Sequence, residues 1–439
     1  MIHFDEARDA CIGSLRKLCN SETAIERAVL IEDVFGKIRA IAWLREDASK
    51  ELRNRIATDL SESGRDFWAG DLWVPDRDSS SDNTVYEAAW EQGIEVSAKL
   101  RRAERYRSKG FWLNPPTEPA WFPPAPPVVA FYSFKGGVGR TTALASFAIQ
   151  RARAGERLVV LDLDIEAPGI GTLLDAGEGI PGASWGVLDY LLERPLLSVI
   201  PDFRDYYHAC ARPEVTGSGE ILVIPAGRLN RDFLAKLSRV DFQPAAPSEN
   251  HPLLLLLEQV RDHLQPQWIL LDCRAGISEA AGFVLSGLPH LSVLFGTTSK
   301  QSWLSLRIIL ERLGAERVRR DRSQLECLVV HAMVPDELAT RARAESDFLS
   351  RSLDEFTDHY YKKNPSSLEE DDDYWYVQDI EAEFAPHIPA VLPYKSKLAF
   401  VKRIDDVADD LAADPDYRLL GDRIISLFAA VDGDEGSES

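Results

Sequence analysis

Residues 131–142 read Phe-Tyr-Ser-Phe-Lys-Gly-Gly-Val-Gly-Arg-Thr-Thr, so three glycines lie between Lys135 and Arg140 and two threonines follow. That set of residue types can wrap an anion. Glycine lacks the Cβ that keeps a ligand off the main chain, so successive N–H groups at Gly136, Gly137, Val138 and Gly139 can converge on one phosphate. An apolar run, Val128, Val129, Ala130 and Phe131, precedes the loop, and a helix-like run over 143–154, stopped by Gly155, follows it. Strand, glycine loop and helix are the setting a phosphate-binding loop needs, because the helix adds its positive N-terminal end. A nucleoside triphosphate is the implied ligand.

Two later stretches carry acid to strand ends. Residues 157–164, Arg-Leu-Val-Val-Leu-Asp-Leu-Asp, have the pattern of a buried strand ending in Asp162 and Asp164, and residues 268–272, Trp-Ile-Leu-Leu-Asp, end in Asp272. The C-terminal ends of parallel strands are where doubly wound sheets gather ligands. Mg²⁺ gives up its hydration shell reluctantly, so Asp272 suits a role in holding that ion through water. Thr141 is expected to ligate Mg²⁺, and Thr142 to donate to an α- or β-phosphate oxygen.

The loop departs from the pattern G-x-x-x-x-G-K-[ST], because Phe134 and Arg140 stand where Gly and Lys are required. The lysine is at the front instead, giving Lys-Gly-Gly-Val-Gly-Arg-Thr. This resembles the deviant Walker A signature K-G-G-x-G-K-[ST] of the MinD/ParA class of ATPases, and is most similar to its KGGVGR variant. The resemblance spans residues 128–400. It implies ATP and Mg²⁺ as cofactors and an ATP-dependent homodimer, in which Lys135 crosses the interface to the phosphates held by the other subunit. It also implies that Asp164 orients the attacking water and that Asp162 lies near the metal. The Asp-Cys-Arg-Ala-Gly tail from Asp272 to Gly276 resembles the switch segment of the class. Pro393 and Tyr394 follow what looks like the last core strand and would border the base. Where relatives carry a base-reading Asn, this chain has His331, which reads as a packed histidine. The variant suggests a part in bacterial signalling or antiphage defence.

Arginine at 140 changes the expected chemistry. Its guanidinium is planar, larger than an ammonium and permanently charged, and it can grip phosphate in bidentate fashion. Phosphoryl transfer depends on positioning and electrostatics. Arg140 therefore predicts firm nucleotide binding with slow hydrolysis.

The elements that must position these residues follow from the apolar runs at 128–134, 157–163, 220–225, 268–273, 290–296, 325–331 and 387–392, which alternate with helical stretches. The expected fold class is α/β, a doubly wound, mostly parallel P-loop NTPase domain preceded by an all-helical N-terminal domain. The division is 1–113 helical, 114–127 a Pro-rich linker, 128–431 the NTPase domain with an insertion at 332–386, and 432–439 a disordered acidic tail. Helix signals upstream are Thr23 with Glu26, before Ile25, Val29, Leu30, Val34, Ile38 and Ile41, and Thr84 with Glu87, before residues 88–107. The tryptophans there (Trp43, Trp68, Trp73, Trp90) read as core, and the domain as a site for an unidentified protein partner. In the insertion, acid at 369–373 followed by Tyr374, Trp375 and Tyr376 describes either a docking surface or a loop folded over the core.

Five cysteines show neither metal-ligand spacing nor a disulfide framework. The chain has no signal peptide and no apolar run near the length of a membrane span, so a cytoplasmic protein without membrane attachment is expected. The net charge of −21 opposes nucleic-acid binding. The local cluster of Arg312, Arg317, Arg319, Arg320 and Arg322 is the one place where nucleic acid could sit. Two alternatives share the fold: a P-loop kinase or ligase, and a DNA-associated ParA-like positioning protein.

Overall fold

A computed structural model describes residues 2–75, 80–106, 108–113, 126–177, 179–197, 202–240, 242, 251–285, 288–320, 326–363, 375–400 and 403–429, with the backbone alone at 80–83, 316–320, 399–400 and 429. The chain divides into two compact units, Met1–Ser108 and Lys109–Ser439.

The N-terminal unit is not all-helical. It carries helices Phe4–Ser21, Lys50–Gly64 and Ser80–Glu91, but these surround a five-stranded sheet of β1 (Ile25–Glu32), β2 (Ile38–Leu44), β3 (Trp68–Trp73), β4 (Ile94–Ser97) and β5 (Leu100–Glu104) in the order β3-β2-β1-β5-β4. The apolar residues expected to line one helix at 25–41 belong instead to the antiparallel pair β1 and β2, except Val34, which is exposed in the turn between them. Burial on two sides explains the error. Ala28 and Leu30 face a core shared with Ala7, Cys11, Leu15, Ile56 and Leu60, whereas Val29 and Ile31 face the opposite side with Ile41, Ala89 and Ala103. Four consecutive buried residues satisfy a strand covered on both faces, and only by coincidence a helical spacing. The stretch read as a helix over 88–107 likewise ends at Glu91 and continues as β4 and β5. Trp43, Trp73 and Trp90 are half-buried and pack against the second of these cores, and Trp68, also half-buried, against the first.

The second unit holds an eight-stranded sheet of β6 (Val128–Ser133), β7 (Arg157–Leu163), β8 (His208–Ala209), β9 (Glu220–Ile224), β10 (Trp268–Cys273), β11 (Leu291–Gly296), β12 (Glu326–Val334) and β13 (Ala390–Pro393), ordered β13-β12-β11-β6-β10-β7-β9-β8. Only the short edge strand β8 runs antiparallel; the other pairs are parallel. Alternate residues enter opposite cores: Val128, Ala130 and Tyr132 of β6 on one face, Val129 and Phe131 on the other. Burying such a side chain is worth about 1.5–3 kcal/mol, so each strand has one favourable register. Helix Arg140–Arg153 covers the Val129 face through Ala143, Leu144, Phe147 and Ala148, and ends at Gly155 with φ +91°.

Lys109–Leu113, placed by the sequence with the N-terminal part, packs inside this second unit. In the insertion, helix Leu338–His359 buries Phe348 and Phe356. Trp375 Nε1 donates to Glu326 Oε2 at 3.1 Å and Tyr376 is buried, so those two aromatics fold over the core. The acidic stretch at 369–373, Tyr374, most of the linker and the tail at 432–439 lie outside the described residues. Among the described residues, no helix is long and apolar enough to cross a membrane.

Candidate functional site

Strand order assembles the site. β6 lies beside β10, and β10 beside β7, although β10 comes last of the three in the chain. The loop after β6 and the carboxylates ending β10 and β7 therefore share one sheet edge. Gly137 and Gly139 take φ of +74° and +83°, conformations that residues with a Cβ rarely adopt. The second of these lets the helix start at once, with the Ala143 amide donating to Gly139 O at 2.9 Å. Val138 turns into the core and anchors the loop, while Lys135, Gly136 and Gly137 are exposed. Thr141 and Thr142 are half-buried at the first turn.

The carboxylates meet the loop through buried bonds. Thr141 Oγ1 donates to Asp272 Oδ2 at 2.9 Å. Arg140 Nε donates to Asp272 Oδ1 at 2.8 Å, and Arg140 Nη2 to Asp164 Oδ2 at 3.1 Å. Burial works against the Arg140 charge, but Asp272 and Asp164 more than compensate and hold its pKa above the ordinary value. The sequence aims this guanidinium at phosphate; the structure ties it to both carboxylates.

Asp162 stands in register with Asp272 on the neighbouring strand. Its Oδ2 accepts from the amides of Gly169 and Gly171 at 3.1 and 3.2 Å. Burial, with the nearby Asp272 charge, nevertheless pushes its pKa up to about 7. Burial also pushes the Asp272 carboxyl up, with Arg140 and Thr141 pulling it back.

Some participants escaped the sequence reading. Arg274 lies 2.9 Å from Glu166 and 3.9 Å from Asp164, so Asp164 sits between two arginines. Gly169 and Gly171 supply the amides on Asp162. The Gly-Ile-Gly after the Asp-x-Asp motif was the available signal for the glycines; Arg274, inside the Asp-Cys-Arg-Ala-Gly tail, had none beyond its place there.

These residues fit a magnesium nucleotide. A methyl group added to Gly136, Gly137 or Gly139 would meet no atom within 4 Å, so the loop surface is open there. Ser133 Oγ, at the base of the loop, is buried with no hydrogen-bond partner. The side-chain oxygens near the loop are the hydroxyls of Ser133, Thr141 and Thr142 and a few carboxylates, and no group of three or more His, Cys, Asp or Glu among the described residues could cage a metal. That donor set suits an ion that keeps water and phosphate in its shell.

Outlying candidates divide. His331 is buried and stacks on Phe348 with centroids 4.1 Å apart, and burial lowers its pKa to about 4, so it is a packed histidine. Pro393 and Tyr394 border a cavity of about 510 Å³ lined also by Asp336, Arg341, Lys395 and Tyr417, and by none of the loop residues 134–142. Arg312 does not offer its charge to nucleic acid: it is buried, and its Nη2 donates to Gly282 O at 2.9 Å. The side chains of Arg317, Arg319, Arg320 and Arg322 lie outside the description.

No family model matches the chain. An ATP-binding protein of Methanocaldococcus jannaschii is 26% identical over 190 residues, 43% of this chain and 60% of the relative, so the chain spans less than two thirds of that protein. A plasmid partition protein of Borrelia burgdorferi solved with AMPPNP is 14% identical, with 70% of this chain and 99% of that one covered at a TM-score of 0.41. The septum site-determining protein MinD of Pyrococcus horikoshii, solved with Mg-ADP, is 17% identical, with 47% and 69% covered at 0.33. The second unit is a largely parallel α/β fold with a glycine loop at its central strand.

Proposed function

We propose that this protein binds ATP with Mg²⁺, hydrolyses it slowly, and uses the bound nucleotide to control pairing of two copies. The observation that carries the reading is the 2.9 Å bond between Thr141 and Asp272, which ties the first hydroxyl after the glycine loop to the carboxylate at the end of β10. In this reading the amides of 136–142 hold the phosphates, and Thr141 and Asp272, with Asp162 beside them, hold the cation. Bound Mg²⁺ would withdraw charge from the phosphoryl oxygens. Asp164 would orient water only when its hold on Arg140 loosens, because a carboxylate paired to guanidinium accepts protons poorly. That requirement, added to the arginine itself, supports slow turnover. Lys135 is exposed at the loop, where a lysine can serve a second subunit.

Titration of the full-length protein with Mg-ATP, alongside phosphate release, tests this. Binding with slow release of phosphate is expected. Failure to retain Mg-ATP or Mg-ADP at millimolar concentration would falsify the reading. Transfer of the γ-phosphate to a small acceptor instead of water would move it to the kinase alternative.

A further inference from the structure

The loop that leaves β10 is held from outside the site by a short segment no motif accounted for. Residues 274–278 run from the Asp272 strand end to helix Glu279–Val284, and their backbone is fixed at several points. The Gly276 amide donates to Ser133 O at 3.1 Å, and Tyr132 Oη donates to Gly276 O at 2.9 Å. Trp112 Nε1 donates to Ser278 O at 2.6 Å. Ser278 in turn caps the helix, accepting from the Ala281 amide at 3.1 Å.

Trp112 sits in a made place. A Cβ on Gly282 would lie 2.6 Å from its indole, so only glycine admits the ring in this position. The Arg312 guanidinium lies 5.0 Å from the same ring, and that arginine also holds Gly282 O. Just before Trp112, Phe111 packs edge-on to Phe283 at 4.9 Å, and Lys109 bonds Glu279 through its amide and, at 3.4 Å, through its ammonium. Every residue of the loop–helix junction from Gly276 to Phe283 thus lies within a few residues of a bond to Tyr132, Ser133 or the 109–112 segment. The same loop carries Arg274, which meets Asp164 and Glu166.

We propose that Lys109–Leu113 is a positioning element for the nucleotide site, resting on the reading above, and that Trp112 carries the state of the 274–278 loop to the chain that enters from the N-terminal unit. A ligand that draws on Asp272 or Arg274 must shift a backbone only a few residues from Ser278. Because Ser278 O is held by the indole, that shift reaches Trp112. The segment begins at Lys109, where the Met1–Ser108 unit ends.

Hydrogen–deuterium exchange on the full-length protein tests it, with two variants. Trp112→Phe keeps an aromatic ring and removes the donor; Gly282→Ala pushes the indole away while leaving its N–H intact. Without nucleotide, each variant should speed exchange in 274–284 by roughly two- to tenfold, the worth of one hydrogen bond. In the unaltered protein, Mg-AMPPNP and Mg-ADP should give different exchange at 109–113, and Trp112→Phe should erase that difference while nucleotide still alters 274–278. Identical exchange at 109–113 with both nucleotides, in protein shown to bind them, overturns the inference and leaves the proposed function standing. Unchanged exchange of 274–284 in both variants without nucleotide overturns it independently of any ligand.

Discussion

Arg140 is one side chain with two duties that conflict. It neutralises two buried carboxylates, Asp272 and Asp164, and it occupies the loop position from which a cation would reach phosphate. Removing it strands both acids, and breaking a buried pair in this way costs about 3–5 kcal/mol. Urea denaturation of Arg140→Ala should show that loss, and an unchanged midpoint would mean the pairs contribute little. Arg140→Lys keeps charge but gives up the planar double grip. Its turnover of Mg-ATP should rise, by up to about a hundredfold if misplacement is the brake; equal turnover numbers would clear Arg140 of that role. Asp162 makes a separate prediction through pH. Its carboxyl is raised from 3.8 to about 7, first by burial and then by Asp272. The folded state therefore favours its protonated form. That contribution to stability is complete below the unfolded value of 3.8 and is lost as pH rises through about 7. In the proposed function cation binding would run the other way, since Mg²⁺ takes a carboxylate in its ionised form. Mg-ATP affinity should fall by up to about tenfold per unit as pH drops below 7, with Asp162→Asn flattening the profile in calorimetric titrations. A slope that survives in Asp162→Asn would belong to another group.

At the scale of elements, backbone contact decides more than side chains do. The Val187 and Leu188 amides, opening helix Val187–Glu193, donate to the Pro225 and Ala226 carbonyls just past β9, at 2.8 and 3.0 Å. Gly186, just before that helix, has no room for a Cβ, which would fall 2.2 Å from Pro225 O. Because main chain cannot swing aside as a side chain can, Gly186→Ala should cost roughly 3 kcal/mol or more. Thermal melting checks this, and a native-like midpoint would mean that the turn relaxes freely. The parallel strands of the second unit were legible because each is a short apolar run bounded by turn residues. β1 and β2 were not, because a strand buried on both faces shows no alternation and its apolar residues fell by chance at helical intervals. β8, two residues long, has no periodicity to read.

For the whole molecule, the exposed lysine at the front of the loop is the feature with the largest consequence. If Lys135 serves a second copy, Mg-ATP should double the mass seen by light scattering, and Lys135→Ala should stay at the monomer mass. Unchanged mass for the unaltered protein would remove the pairing from the proposal. The sequence alone determined the glycine loop, its flanking strand and helix, and the acids at two later strand ends, since these depend on neighbours a few residues apart. Only tertiary structure decided which acid meets which loop residue. Asp272 reaches Thr141 and Arg140 because β10 inserts between β6 and β7, a pairing between segments far apart in the chain that no local spacing encodes. The same long-range packing placed Trp112 on the loop beyond Asp272 and turned Arg312 inward.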